Sequence, residues 1–168
     1  ADAAHNVLHH DPAAAERLIG EVRAGVRQAI DDVRRVVYGL RPLQLEQQGL
    51  VGALRQRLGD DPSSVELVLE TPDELHGLPP AVEVAAFRIV SEAVTNVLRH
   101  SSASRCVVRL AMGPSSLCLE VTDDGGGGRP WTPGVGLRSL MVRAEELGGR
   151  AVAGPTGIGG RVTAELPL

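Results

Sequence analysis

Three groups of residues in this chain have the types and spacing that chemistry requires. The stretch SEAVTNVLRH places Glu92 and Asn96 four positions apart, among Ile89, Val90, Val94, Val97 and Leu98. Four residues is about one helical turn, so the two polar side chains stack on one face of a helix otherwise made for burial. A buried carboxylate beside a buried amide is costly unless something binds it, so the pair either lies on a solvated face or lines a site. The run DDGGGG puts Asp123 at the end of a strand-like stretch, with Gly125 and Gly127 at alternate positions after it. A carboxylate there can accept a hydrogen bond from an exocyclic amine. GVGLRSL sets Gly134 and Gly136 directly before a helical pattern. Glycines at a helix start let backbone N–H groups approach phosphate, and the helix dipole favours the negative charge. An amide oxygen such as that of Asn96 can complete the shell of Mg2+, which prefers oxygen ligands and shares them with substrate phosphates. Singly the signals are weak: Glu-x-x-x-Asn is usually a solvated helix face, and a glycine run is usually a flexible loop. Together they describe a purine nucleotide site with its metal.

The elements that must hold these groups can be read around them. HGLPP opens the helix carrying Glu92 and Asn96. SRCVVRLAM and LCLEVTDDG read as strands joined by a Gly-Pro-Ser-Ser turn, and VELVLE, after Asp61-Pro62, reads as an earlier strand. LRSLMVRAEELGG is a helix closed by glycines, and RVTAELPL is a last strand. Helices alternating irregularly with antiparallel-looking strands predict an α+β sandwich with the helices on one face. Upstream, Asp11-Pro12 has the chemistry of a helix start. From there Ile19, Val22, Val26, Ala29, Val33, Val36 and Leu40 recur in steps of three and four. One helix cannot bury such a stripe alone, which predicts a helical hairpin or a dimer. Pro42 breaks this helix, and LVGALRQRLGDD reads as a second, shorter one.

Composition narrows the function classes. With 168 residues, 43% hydrophobic and 23% charged, the chain can bury a real core. A net charge of -4 and single Trp, Tyr and Phe residues argue against a nucleic-acid surface. All 17 basic residues are arginine, so the lysine of a Walker loop, of a Ser/Thr kinase or of a Schiff base is missing. No apolar run is long enough to span a membrane and no signal peptide is visible. The start, ADAAHNVLHHDP, reads as a fragment of a longer chain. Cys106 and Cys118 lie in strand-like runs without a CxxC pair, which predicts two buried, reduced thiols.

The ordered set resembles the ATP-binding domain of the gyrase, heat-shock-chaperone, histidine-kinase and mismatch-repair ATPases, with a Bergerat-type two-layer α/β sandwich. Within that group it is similar to the bacterial sensor histidine kinases. EAVTNVLRHSSAS resembles their N box, DDGGG the first glycine box and GVGLRSLMVRAEELGG the second. DDVRRVVYGLRPLQLEQQGLVGAL resembles the segment after the phosphoacceptor helix in nitrate-sensor-type kinases, which signal to response regulators with a DNA-binding helix-turn-helix. The resemblance divides the chain into 1–60, the later part of a dimerisation and phosphotransfer region with its connector, and 61–168, the ATP-binding catalytic domain. It implies that Asn96 chelates Mg2+ between the ATP phosphates and that Glu92 polarises the attacking group or a metal-bound water. It implies that Asp123 binds the adenine amino group. Gly125, Gly127, Gly134, Gly136 and Leu137 would shape the pocket and the lid over the phosphates, and Arg99 and His100 would contact phosphate. Also implied are a homodimer through the N-terminal helix, a cytoplasmic location, free or as part of a membrane-bound sensor, and no direct contact with nucleic acid.

The pattern is departed from in places. LHHDP looks like a phosphoacceptor, but Pro12 does not suit the interior of a long helix, so His9 and His10 read as turn residues. His5 and His9 have chelate spacing without further ligands. The chain is therefore expected to need an acceptor helix in trans. Gly160 stands where the family has Thr or Ser approaching the phosphates, and the loop from Gly128 to Pro133 is short, with Trp131 as an anchor or a lid reporter. Two other classes compete: a degenerate ATP-sensing or dimerisation module, favoured by Gly160, and an anti-sigma-type serine kinase, disfavoured by the heptad helix.

Overall fold

The computed structural model describes residues 42–61, 63–73, 75–126 and 134–168, within the compact unit Arg41–Leu168. The expectations for the heptad helix, the dimer, His5, His9, His10, Gly127 and Trp131 lie outside the described residues.

The first helix, α1 (Leu43–Gly59), is kinked at Gly49, whose φ of 64° is costly for a side chain with a Cβ. Beyond the kink Leu50, Leu54 and Leu58 recur every fourth residue and are buried, as helical periodicity requires. α1 therefore packs as part of this unit, whereas the sequence division had placed it with the segment before residue 61. Strand β1 (Glu66–Glu70) follows, then α2 (Pro80–His100), which starts with proline in its first turn. Glu83 in the first turn and Arg99 and His100 in the last match the helix dipole. Ile89, Val90 and Val94 of α2 are fully buried; each such side chain contributes roughly 1.5–3 kcal/mol.

Strands β2 (Arg105–Met112) and β3 (Ser116–Asp123) form an antiparallel pair, followed by α3 (Val135–Glu145), β4 (Arg150–Pro155) and β5 (Gly160–Pro167). Gly148, at φ 75°, turns the chain out of α3. The sheet order is β1-β2-β3-β5-β4. Two features differ from the sequence reading. β1 and β2 run parallel, because α2 forms the crossover between them. RAVAGP is a strand: it is short, lies at the sheet edge and is defined by its ladder with β5.

Alternation assigns the two faces. Cys106, Val108, Leu110, Leu117, Leu119, Val121, Val162, Ala164 and Leu166 are buried on the helix-covered face. The opposite face carries a ladder of charge across four strands, with Arg109 between Glu70 (2.6 Å) and Glu120 (3.1 Å), and Arg161 on Glu120 (3.2 Å). Cys118 is also on this outer face and is exposed, contrary to the expectation of two buried thiols. Its neighbours in β3, Leu117 and Leu119, take the inward positions, and the pleat sends Cys118 the other way.

Candidate functional site

Asp123 ends β3, and its carboxylate ties together three parts of the chain. Oδ1 accepts the Ser101 hydroxyl at 2.8 Å and the Gly125 amide at 2.9 Å. Oδ2 accepts the Gly160 amide at 3.1 Å. Ser101 directly follows α2, Gly125 opens the glycine loop and Gly160 opens β5. A carboxylate offers about four lone-pair positions. These three bonds leave one, on Oδ2.

Glycine is required by close approach around this carboxylate. A Cβ at Gly125 would overlap Ser101 Oγ and lie 2.7 Å from the Ala103 amide nitrogen. A Cβ at Gly159 would overlap the Asp123 carbonyl oxygen and lie 3.0 Å from the Gly125 amide nitrogen. The β4–β5 loop is fastened over the strand end by its own bonds. Thr156 Oγ1 accepts the Gly159 amide at 2.9 Å, the Thr156 amide donates to the Gly159 carbonyl at 2.7 Å, and the Gly126 amide donates to the Ile158 carbonyl at 3.0 Å.

Adjacent aspartates have separate roles. Asp124 accepts the Ser104 hydroxyl at 2.5 Å and the amides of Ser104 and Arg105 at 2.8 and 2.9 Å, joining the start of β2 to the end of β3. The Ser104 hydroxyl, then the Arg105 amide, hold its carboxyl below the usual carboxylate range. Behind Asp123 across the ladder lies Cys106, whose thiol is pushed up to about 12 by burial and by the charges of Asp123 and Asp124. It stays neutral at physiological pH.

The second cluster joins α2 to α3. Glu92 and Asn96 are half-buried, so their shared face is neither core nor open water. A Cβ at Gly136 would overlap Glu92 Oε1 and lie 3.5 Å from Asn96 Nδ2, so the first turn of α3 rests on the pair. Asn96 Nδ2 is buried without a hydrogen-bond partner among the described residues. Gly134 is the exposed N-cap of α3 and Leu137 is half-buried in its first turn. Ser101 follows Asn96 by five positions, roughly 7–8 Å along the helix axis.

The structure thus gathers Asp123, Gly125 and Gly160 at one end, and Glu92, Asn96 and Gly136 at the other. Arg99 and His100 are exposed on the last turn of α2, and their side chains make no hydrogen bond or ion pair among the described residues. Gly160 lies on Asp123, the expected base-binding carboxylate, so a side chain missing at this position is missed there first. Ser101, Gly159 and Thr156 were not found by sequence reasoning. The serines after α2 hint at hydroxyls near the glycine loop, but the Ser101–Asp123 bond spans 22 residues and no periodicity reveals it. A separate groove of about 320 Å³ on the outer sheet face, lined by Arg109, Cys118, Glu120, Arg150 and Val152 among others, contains none of the site residues.

The fold is that of histidine kinase ATP-binding domains. The histidine kinase domain of the Erythrobacter litoralis EL346 blue-light activated kinase superposes with a TM-score of 0.57 at 23% identity, covering 71% of this chain and 59% of that one. The ATP-binding domain of PrrB from Mycobacterium tuberculosis gives 0.51 at 21%, covering 68% of this chain and 90% of that one. In sequence, the family described as Histidine kinase (HisKA_3) matches residues 1–45. Sensor histidine kinase LiaS of Bacillus subtilis is 33% identical over 96% of this chain and 47% of its own length. Sensor histidine kinase NarS of Mycobacterium tuberculosis is 32% identical over 89% of this chain and 37% of its own. The chain belongs to the sensor histidine kinases, and spans less than half the length of these curated relatives.

Proposed function

We propose that this chain is the ATP-binding catalytic region of a two-component sensor histidine kinase, binding Mg-ATP and passing the γ-phosphate to a histidine outside this segment. The observation that carries this reading is Asn96 Nδ2, buried and unpartnered among the described residues directly beneath Gly136 at the start of α3. An orphaned amide nitrogen in that position fits an acceptor such as a phosphate oxygen, and the oxygen of the same amide suits Mg2+. Among the described residues no group of three His, Cys, Asp or Glu side chains could hold a metal, so a cation here would share its shell with a bound nucleotide. Asn96, with Glu92 beside it, would hold Mg2+, which supplies charge neutralisation on the phosphates.

The chain's own residues then divide the work. Asp123 presents its open lone pair to the adenine amino group, where GTP would offer a carbonyl oxygen and be repelled. Gly125 and Gly127 shape the base end; Gly134, Gly136 and Leu137 bring the N-terminus of α3 to the phosphates. Arg99 and His100 stand at the end of α2 to meet phosphate charge, and Glu92 polarises the attacking group. Such a site needs positioning and charge neutralisation more than reactive side chains, as phosphoryl transfer does. In the full protein this region works in a homodimer joined by the N-terminal helix, in the cytoplasm, and passes the phosphate to an aspartate of a helix-turn-helix response regulator without touching nucleic acid itself. Among the described residues no helix is long and apolar enough to cross a membrane.

A second reading, a degenerate ATP-sensing module, is favoured by Gly160, which brings no hydroxyl to Asp123. The test is calorimetric titration of ATP with and without Mg2+, followed by labelled ATP with a histidine-bearing acceptor helix in trans. Mg2+-dependent binding that is lost in Asn96→Ala, with label on histidine, supports the kinase. Binding without label supports the sensing module. Unchanged Mg2+-dependent binding in Asn96→Ala refutes the metal assignment.

A further inference from the structure

Asp123 is the end of a short relay. A carboxylate on a strand end can turn about its terminal torsion, and a base-reading acceptor must not. Oδ1 is saturated by two donors, the Ser101 hydroxyl at 2.8 Å and the Gly125 amide at 2.9 Å. Oδ2 carries only the Gly160 amide, at 3.1 Å. The Gly125 amide belongs to loop backbone and the Gly160 amide to the first residue of β5, whereas the Ser101 hydroxyl is a side-chain donor anchored to the end of a helix. The Ser101 amide still donates to the Val97 carbonyl at 2.9 Å, which fixes its backbone to the last turn of α2. Its Oγ is confined by the Cα of Gly125, where no Cβ could stand. Gly160 offers no hydroxyl, so Ser101 supplies the one side-chain hydroxyl bonded to Asp123 among the described residues.

We infer that Ser101 is a positioning residue: its hydroxyl locks the Asp123 carboxylate with the single open lone pair of Oδ2 toward the bound base, and so sets selectivity for a purine carrying an exocyclic amine. This deepens the nucleotide reading and rests on it. A serine that served only to tie α2 to the sheet would change stability and weaken every nucleotide alike. A positioning serine changes only the part of the binding that comes from the amine.

The test compares ATP with purine riboside triphosphate, which has hydrogen in place of the amine, by calorimetry on the wild type, Ser101→Ala, Ser101→Thr and Asp123→Ala. One lost hydrogen bond of typical strength corresponds to about a fivefold change in binding. Ser101→Ala is expected to reduce the preference for ATP over the analogue about fivefold, with affinity for the analogue held within about twofold. Ser101→Thr, which keeps the hydroxyl, is expected to retain the preference. An equal loss for both nucleotides, or an unchanged preference in Ser101→Ala while Asp123→Ala abolishes it, overturns the role of Ser101 and leaves the base assignment standing. A preference that survives in Asp123→Ala overturns the base assignment, and the inference with it.

Discussion

Two glycines in the β4–β5 loop, Gly157 and Gly159, lie two positions apart and should respond to alanine in opposite directions. At Gly159 a methyl group would occupy the space of the Asp123 carbonyl oxygen and lie 2.6 Å from its carbon. Both atoms belong to backbone, so no side-chain rotation relieves the overlap. The loop must retreat from the strand end, which releases the Gly160 amide from Asp123 Oδ2 and the Ile158 carbonyl from the Gly126 amide. Two hydrogen bonds at about 1 kcal/mol each, with some residual overpacking, give a loss of about 2–3 kcal/mol. For a unit of this size that lowers the melting temperature by roughly 6–12 °C. At Gly157 a Cβ meets nothing within 4 Å. Gly157→Ala there removes freedom from the unfolded chain and should raise stability by up to about 1 kcal/mol. Thermal unfolding followed by circular dichroism, with all three proteins in one buffer, measures both. A Gly159→Ala protein that melts within a degree or two of wild type would refute the steric argument and, with it, the proposed tight fastening of this loop over Asp123.

Other perturbations separate the remaining claims. Glu92→Gln, which keeps an oxygen donor for Mg2+, should hold Mg-ATP affinity within a fewfold by calorimetry while label transfer to an acceptor helix drops at least about a hundredfold, the usual scale for a general acid–base group; equal loss of both would confine Glu92 to metal binding. With the fold intact at pH 8, a thiol reagent should modify Cys118 and spare Cys106, then count both after denaturation, as mass spectrometry can read. Because the folded Cys106 thiol titrates near 12 rather than 9.0, the unfolded state gains charge first, so stability should fall as pH rises above 9.0, and Cys106→Ala should flatten that fall. Asp124, held low by Ser104 and Arg105, and Asp61, held low chiefly by the Ser63 amide, act in the opposite direction. Their contribution is present above pH 3.8 and is lost as pH falls through the lower folded values, so Asp124→Asn should reduce the slope of acid unfolding. An unchanged acid transition in that variant would count against the Asp124 staple.

What was legible in the sequence was what local pattern encodes. The four-residue spacing of Glu92 and Asn96 within an apolar helix, the alternation of β2 and β3, and the glycines that close α3 all follow from backbone periodicities, and each lies where the pattern placed it. The Cys118 side chain shows the limit: alternation says that neighbours point oppositely, but only packing of α2 against the sheet says which set is inside. β4 failed for a related reason, since RAVAGP has little apolar signal of its own and becomes a strand by pairing with β5.

The sequence by itself determined the helices, most strands and the candidate residues, because these depend on contacts within a few positions of the chain. Only the tertiary structure decided that β1 runs parallel to β2, that Ser101 and Gly160 share one carboxylate, and that Gly136 rests on Glu92 and Asn96. Those contacts join residues 22 to 44 positions apart in the chain (123 − 101 and 136 − 92). No local period carries such information; it arises when burial of a common core brings the ends of α2, β3, α3 and β5 together.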